Sequence, residues 1–449
     1  MILVDTALQQ RHAEGRPVRV GIIGAGYIGR GIVLQIARAF PGMETTAIYN
    51  RTLSRAKRAY DEAGIDTYAT ATTLTQINDR IARGTPVVTD DPALVCRADA
   101  IDVVVEVTGT IEFAATVCLD AIQHGKHVVA QNAELDATIG PILKDYADRY
   151  GVVFSTGDGD QPGVAMNLFR YVKQIGYHPV VIGNIKGMLD PYRTPETQRA
   201  FAEKSKQDIH MVTSFADGTK LSMEQTVMAN ATGFGVSKRG MHGPVCDHVT
   251  EATALFDLDD VLDGGRTDYV LGAEPGPGVF VIGYNDHPTQ QHYARVLKMG
   301  DGPLYAFYVP QHLPHLETPL SVARAALFHD ATAAPLGAPV CETVAVAKRD
   351  LKAGETLDGI GNFLTYGAID NADVCRRNHL LPMGLSEGAT LVRPVAKDHA
   401  ITFDDVVMPA ERISDRLWHE QHDRFSGTSP ASLFDAARAS NGTAAPLAT

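Results

Sequence analysis

Val20–Arg30 reads VGIIGAGYIGR, an apolar run that breaks into three spaced glycines and leads straight into helix-forming residues. A buried strand followed by such a break is the opening of a strand–turn–helix unit. Gly24, Ala25, Gly26, Tyr27, Ile28 and Gly29 form the turn. Gly24 permits the tight bend, Gly26 lets the backbone come close to a pyrophosphate, and Gly29 lets helix and strand pack tightly. The helix N-terminus beyond them offers unpaired amides to an anion. A dinucleotide loop is the reading, provided that further β-α units follow.

They do. Short apolar runs at Val18–Ile23, Glu44–Tyr49, Ile101–Val107, His127–Ala130 and Val152–Ser155 alternate with helical stretches such as Gly29–Phe40 and Ile111–His124. Ile101–Val107, IDVVVEV, is nearly continuous in apolar residues, as a parallel strand covered on both faces requires. The helix face facing the sheet is expected to carry Ile32, Leu34, Ile36, Ala37 and Phe40. The fold class is α/β: a doubly wound parallel Rossmann sheet over residues 1–155. From Thr156 the texture turns richer in Gly, Pro, Met and Asn, and 156–330 reads as a mixed α/β substrate and dimerisation domain. Glu317–Phe328 reads as a helix returning to the first domain. Ala331–Pro339, ATAAPLGAP, is a linker, 340–412 a small β-rich domain, and 425–449 a disordered tail. Val346–Ile360 is weakly echoed by Pro394–Val406, both strand-turn-strand patterns.

With 449 residues, 45% of them hydrophobic and 21% charged, the chain can bury several cores. A formal charge of −13 favours solubility and argues against nucleic acid as a partner. No apolar window is long enough to span a membrane, and the early charge in MILVDTALQQRHAEG argues against a signal peptide. Five scattered cysteines with no CxxC spacing indicate neither a disulfide framework nor a zinc knuckle. A reducing cytoplasm is the expected location.

The end of the second strand selects the dinucleotide. Domains that prefer NAD place Asp or Glu there to hold the ribose 2′-hydroxyl. This chain has Asn50-Arg51-Thr52, with Ser54 and Arg55 close behind. Asn50 removes the repelling charge and Arg51 offers a planar cation to a 2′-phosphate, so NADP(H) is expected. Thr108 and Gly109, and Asn132 and Glu134, follow later strands at their carboxyl ends, the rim where such sheets bind ligands. They are candidates for the cofactor's ribose, its carboxamide or the substrate.

Three segments carry candidate chemistry. In STGDGDQPG (Ser155–Gly163), Asp158 and Asp160 stand two apart, and in an extended segment both carboxylates would project to one side. A divalent cation, Mg²⁺ or Mn²⁺, would neutralise them. Asp-Gly-Asp is equally good turn chemistry. Lys186 lies in the strand-like run GNIKGMLDPYR (Gly183–Arg193), where it could bind an anion or serve as a general acid. In TSFADGTKLSMEQ (Thr213–Gln225), Lys220, Ser222 and Glu224 would share one side of a strand, Lys220 as an anion contact and Glu224 as acid or ligand. His312–Glu317, HLPHLE, lacks zincin spacing, and packing histidines are expected there.

GIIGAGYIG, IDVVVEVTG and GKHVVAQNAELD together resemble the homoserine dehydrogenase-like oxidoreductases. With MVTSFADGTK (Met211–Lys220), the span from Val18 to Pro409 looks like the 1-deoxy-D-xylulose 5-phosphate reductoisomerase-like branch, and residues 346–406 look like a SAF-type module. That resemblance implies NADPH-dependent rearrangement and reduction of deoxyxylulose phosphate to 2-C-methyl-D-erythritol 4-phosphate in isoprenoid synthesis. It also implies a homodimer and a small phosphorylated sugar or sugar-acid substrate. Two departures stand out. Homoserine dehydrogenases carry Asn-Lys where this chain has Asn132-Ala133, and the reductoisomerases' Asn-Lys-Glu and Asp-x-Glu are here only echoed by Asn132-Ala-Glu134 and Asp158-Gly-Asp160. The rival readings are a dehydrogenase of a sugar acid or polyol without rearrangement, and a non-catalytic NADP(H)-binding scaffold.

Overall fold

The computed structural model describes residues 2–426; the tail expected to be disordered lies, but for its first two residues, outside the described residues. The chain divides into two compact units. Of the described residues, the first comprises 2–164, His312–Ala334 and Arg412–Ser414, and the second Ala165–Gln311, Pro335–Glu411 and 415–426. Residues 340–411 therefore group with the segment that follows the first sheet rather than forming a third unit.

In the first unit seven parallel strands form one sheet: β1 (Val18–Ile23), β2 (Met43–Tyr49), β3 (Ala69–Thr70), β4 (Val87–Thr89), β5 (Val103–Glu106), β6 (His127–Ala130) and β7 (Phe154–Thr156). Their order is β3-β4-β2-β1-β5-β6-β7, so the strand order reverses between β1 and β5. Ligands bind at that switch point, outside the carboxyl ends of the strands. Val103, Val104 and Val105 are all fully buried, as the unbroken apolar run demands. The helix after the glycine turn, Tyr27–Ala39, buries Gly29, Ile32, Val33 and Ile36. Val33 takes the place expected for Leu34, which is 40% exposed, because a 3.6-residue period turns position 34 away from the face set by 29, 32 and 36. The returning helix runs Pro314–Phe328, inside the first unit as expected. It packs closely on the glycine-turn helix: a Cβ on Gly31 would stand 2.8 Å from His315. His315 and His312 are thus packing residues, the latter bonded through Nδ1 to Gly159 O at 3.2 Å.

In the second unit β8 (His178–Lys186), β9 (Arg266–Leu271), β10 (Gly278–Tyr284) and β11 (Leu304–Val309) form a mixed sheet in the order β11-β10-β8-β9. β8 runs parallel to β9 and antiparallel to β10. An antiparallel pair, β12 (Cys341–Ala347) and β13 (Thr365–Asn371), lies in the C-terminal segment. The two echoing stretches bridge to each other, Leu351 to Val395 and Val346 to Ala400.

The strand expected around Lys220 is a helix. Thr213–Gln225 spans the end of helix Ile209–Ala216, a turn at Asp217-Gly218 and the first half of helix Thr219–Thr232. Asp217 accepts the Thr219 N–H, and Gly218 takes a left-handed φ of 86°, so the chain restarts as a helix. Of that helix's 14 residues all but Lys220 are buried, and it packs against β8 and β9 and against β12 and β13. Polar side chains such as Ser222, Thr226 and Gln225 survive there because each is hydrogen-bonded.

Candidate active site

The glycine turn is built as a dinucleotide cradle. Gly24 has a φ of 112°, which only glycine adopts readily, and a Cβ there would meet Val107 O at 3.1 Å. A Cβ on Gly29 would lie 2.1 Å from Gly24 O. At Gly26 nothing lies within 4 Å of an added Cβ, so space is open where a pyrophosphate would approach. No acidic residue stands in the first helical turn and no side chain caps it. That amide-rich end fits an anion. Tyr27 is exposed at the turn, and Ile28 packs on the core beneath it.

Asn50 has a part in this turn that its position alone did not reveal. Its Oδ1 accepts the Ala25 N–H at 3.1 Å and its Nδ2 donates to Thr52 O at 2.9 Å, tying the glycine loop to the end of β2. Arg51, Ser54 and Arg55 are exposed beyond it.

The C-terminal ends of β5 and β6 are joined by a buried carboxylate that no motif marks. Glu106 is fully buried and accepts the Thr108 N–H at 2.7 Å, the Thr108 hydroxyl, and Asn132 Nδ2 at 2.9 Å. Burial pushes its carboxyl up from the ordinary range, the bonds from Thr108 and Asn132 pull it back, and Glu134 pushes it up further. A charged residue inside the run VVVEV was the signal for it. Asn132 spends both ends of its amide: Oδ1 caps Leu135 N–H, and Nδ2 donates to Glu106 and to Thr110 O at 2.8 Å. It holds the rim rather than offering a free amide. Thr108 lies at that rim, and Gly109, with a φ of 70°, completes the bend. Glu134 is buried in the first turn of helix Ala133–Arg149, together with Asp136. Asp136 is fully buried, takes a bond from the Thr156 hydroxyl, and is pushed up to about 7 by desolvation.

The expected metal pair does not form. Gly159 adopts a φ of 82°, so Asp158 and Asp160 do not lie on one side of an extended segment. Asp158 Oδ2 is taken by the Ser321 hydroxyl at 3.2 Å and the Thr332 hydroxyl at 3.1 Å, with Arg324 Nη1 at 3.7 Å. Asp160 Oδ1 accepts the Gln161 N–H at 3.2 Å at the head of the next helix. Among the described residues no three His, Cys, Asp or Glu side chains converge in a group suited to a metal ion.

The second unit does assemble its three candidates. Lys220 and Glu224 are one helical turn apart on one face, an i,i+4 pair rather than alternate positions of a strand. Lys186 ends β8 and senses Glu224, Asp217 and Lys220 electrostatically. Glu224 accepts Asn184 Nδ2 at 2.7 Å, and Gln225 Nε2 donates to Asn184 Oδ1 at 3.3 Å. Lys186 Nζ has no hydrogen-bond or ion-pair partner among the described residues. Burial, helped by Lys220, holds its ammonium below the ordinary lysine range, while Glu224 and Asp217 pull it back. Such a lysine gives up a proton more readily than a solvated one.

Residues 24–152 match the family described as homoserine dehydrogenase, NAD binding domain, and residues 159–318 match oxidoreductase DRL, catalytic domain. A search of curated proteins found no match. Among solved structures, scyllo-inositol dehydrogenase from Lactobacillus casei with bound NAD(H) and scyllo-inositol is 16% identical, covers 60% of this chain and 73% of its own, and has a TM-score of 0.36. A point mutant of KijD10, a 3-ketoreductase from Actinomadura kijaniata, in complex with TDP-benzene and NADP, is 17% identical over 69% of this chain and 90% of its own, at 0.35. Myo-inositol 2-dehydrogenase from Lactobacillus plantarum is 13% identical over 66% and 77%, also at 0.35. Likeness at that level supports no functional inference. No helix among the described residues is long and apolar enough to cross a membrane. The chain thus carries one segment similar to the NAD-binding domain of homoserine dehydrogenases and a second similar to the catalytic domain of oxidoreductase DRL.

Proposed function

We propose that this oxidoreductase is an NADP(H)-dependent dehydrogenase of a small sugar acid or polyol, with Lys186 as its acid–base group and no rearrangement of the carbon skeleton. The observation that carries the reading is Lys186 itself, a desolvated lysine without a hydrogen-bond or ion-pair partner among the described residues, beside Glu224 and Lys220. When bound, the nicotinamide dinucleotide supplies or accepts the hydride. Gly24–Gly29 would receive its pyrophosphate, and Arg51, with Ser54 and Arg55, its 2′-phosphate. Asn50 brings no negative charge against that phosphate and braces the loop instead. Glu106 and Asn132 hold the Thr108–Thr110 rim in place for the ribose and nicotinamide.

In the direction of reduction Lys186 would donate a proton to the substrate's carbonyl oxygen. During oxidation it removes the hydroxyl proton. Glu224, held by Asn184, keeps the ammonium from losing its proton outright, and Lys220 tunes it the other way. Lys220 also offers a charge to a carboxylate or phosphate on the substrate. A rearranging reductoisomerase on Asp158 and Asp160 is the less favoured reading, since Asp158 is engaged by Ser321, Thr332 and Arg324.

The test is turnover of NADPH and NADH against a panel of sugar acids and polyols, with deoxyxylulose 5-phosphate plus Mg²⁺ or Mn²⁺ included. Lys186→Met should lower kcat by about 10²–10⁴-fold with NADPH affinity unchanged. Full turnover in that variant would refute the acid–base role, and a branched product from deoxyxylulose phosphate would replace the dehydrogenase with the reductoisomerase.

A further inference from the structure

We infer that Lys348, in the C-terminal segment, is a positioning residue for the helix that carries Lys220 and Glu224, so that residues 340–411 work as part of the catalytic apparatus. The inference rests on the role proposed above for Lys186, Lys220 and Glu224.

Lys348 follows β12 directly, and its side chain is 3% exposed. All three of its ammonium protons are used: Nζ donates to Asp217 Oδ2 at 2.8 Å, Arg193 O at 2.7 Å and Asn362 O at 2.7 Å. A lysine satisfied in this way has no proton left to offer a substrate, unlike Lys186. What it does is hold Asp217. That carboxylate, fully buried, accepts the Thr219 N–H through its other oxygen at 2.9 Å and so braces the Asp217-Gly218 turn from which helix Thr219–Thr232 starts. Lys220 is the next residue and Glu224 lies one turn on.

Three further bonds join the same helix to the same segment. Gly367 N–H donates to the Thr219 hydroxyl at 2.8 Å, the Ser222 hydroxyl donates to Gly367 O at 3.0 Å, and the Thr226 and Thr343 hydroxyls pair at 2.9 Å. A Cβ on Gly367 would stand 2.8 Å from the Thr343 methyl and 3.0 Å from that of Thr219, so the strand lies directly on the helix. The Pro/Ala linker made this segment look like an appendage; its buried polar contacts make it the bed of the helix.

The test uses the full chain with Lys348→Met. Positioning predicts a kcat lowered by about 10²-fold, the scale of a misplacement of about 1 Å, with NADPH affinity unchanged and faster amide hydrogen exchange confined to Thr219–Glu224. The double variant Lys348→Met/Asp217→Asn removes the stranded buried charge. Recovery of melting temperature without recovery of kcat supports positioning, and recovery of both shows a merely structural pair and overturns it. If Lys348→Met does not fold, Ser222→Ala, which deletes only the bond to Gly367 O, should still speed exchange in the first turn and lower kcat several-fold. Unchanged exchange and kcat in Ser222→Ala would overturn the inference. If Lys186→Met keeps turnover while Lys348→Met loses it, the acid–base assignment fails and the positioning role stands.

Discussion

Asp136 gives the chain a stability that depends on pH in a direction opposite to that of most carboxylates. It is fully buried, with one bond from the Thr156 hydroxyl to Oδ2 and no partner for Oδ1, and desolvation raises it from 3.8 to about 7. In the unfolded chain it is ionised above its ordinary value; in the folded chain it stays protonated until much higher. Its contribution is therefore fully present below pH 3.8 and is lost as pH rises towards 7. A displacement of this size corresponds to about 4 kcal/mol at the alkaline limit, at about 1.4 kcal/mol per pH unit. Asp136→Asn cannot ionise. It keeps an oxygen for Thr156 but buries an amide group without an acceptor, a pH-independent cost of about 1–3 kcal/mol. The variant should accordingly be close to the parent in stability near pH 5, where the parent has already lost about 1.6 kcal/mol, and exceed it by about 1–3 kcal/mol near pH 8. Urea melts of both proteins at half-unit steps from pH 5 to 8.5, followed by a probe of the first unit, measure the difference directly. A difference that stays flat across that window would falsify the buried, protonated assignment.

The other expectations can be checked with ordinary variants. Arg51→Glu should weaken NADPH binding by about 10–100-fold while leaving NADH binding nearly unchanged, read by titration calorimetry; equal losses for both dinucleotides would remove Arg51 from the 2′-phosphate site. Glu106→Gln sets an NH₂ against Asn132 Nδ2, whose own orientation is fixed by Leu135 and Thr110. That donor–donor contact should cost about 1–3 kcal/mol, seen as a lowered melting temperature with weaker cofactor protection. An unchanged transition would show that Asn132 can turn over. Gly29→Ala brings a Cβ to 2.1 Å from Gly24 O, so the turn must open. Cofactor binding should fall below detection in calorimetry while the second unit's transition stays in place.

The central strands of the parallel sheet were legible where an apolar run signals burial on both faces, as at Val103–Val105. The edge strand β3 and its neighbour β4, two and three residues long, are too short to carry such a signal. The glycine turn was legible for a similar reason, since close approach and a positive φ each demand glycine. Around Lys220 the same logic failed. A helix buried all round has no polar face, so its 3.6-residue period is erased and short alternations read as strand. Asp158 and Asp160 misled because their shared side depended on an extended backbone, which Gly159 at 82° does not provide.

Sequence by itself determined what is local: the Rossmann order of elements, the dinucleotide turn, and an end of β2 without an acid. It also named Lys186, Lys220 and Glu224 as chemistry worth watching. Only the tertiary structure decided which charged groups are engaged and by what. Partners 131 residues apart in the chain, such as Lys348 and Asp217, or 163 apart, such as Asp158 and Ser321, neutralise one carboxylate and engage the other. A side chain's reactivity depends on desolvation and on the few groups within hydrogen-bond reach, and those are set by contacts that no local pattern encodes.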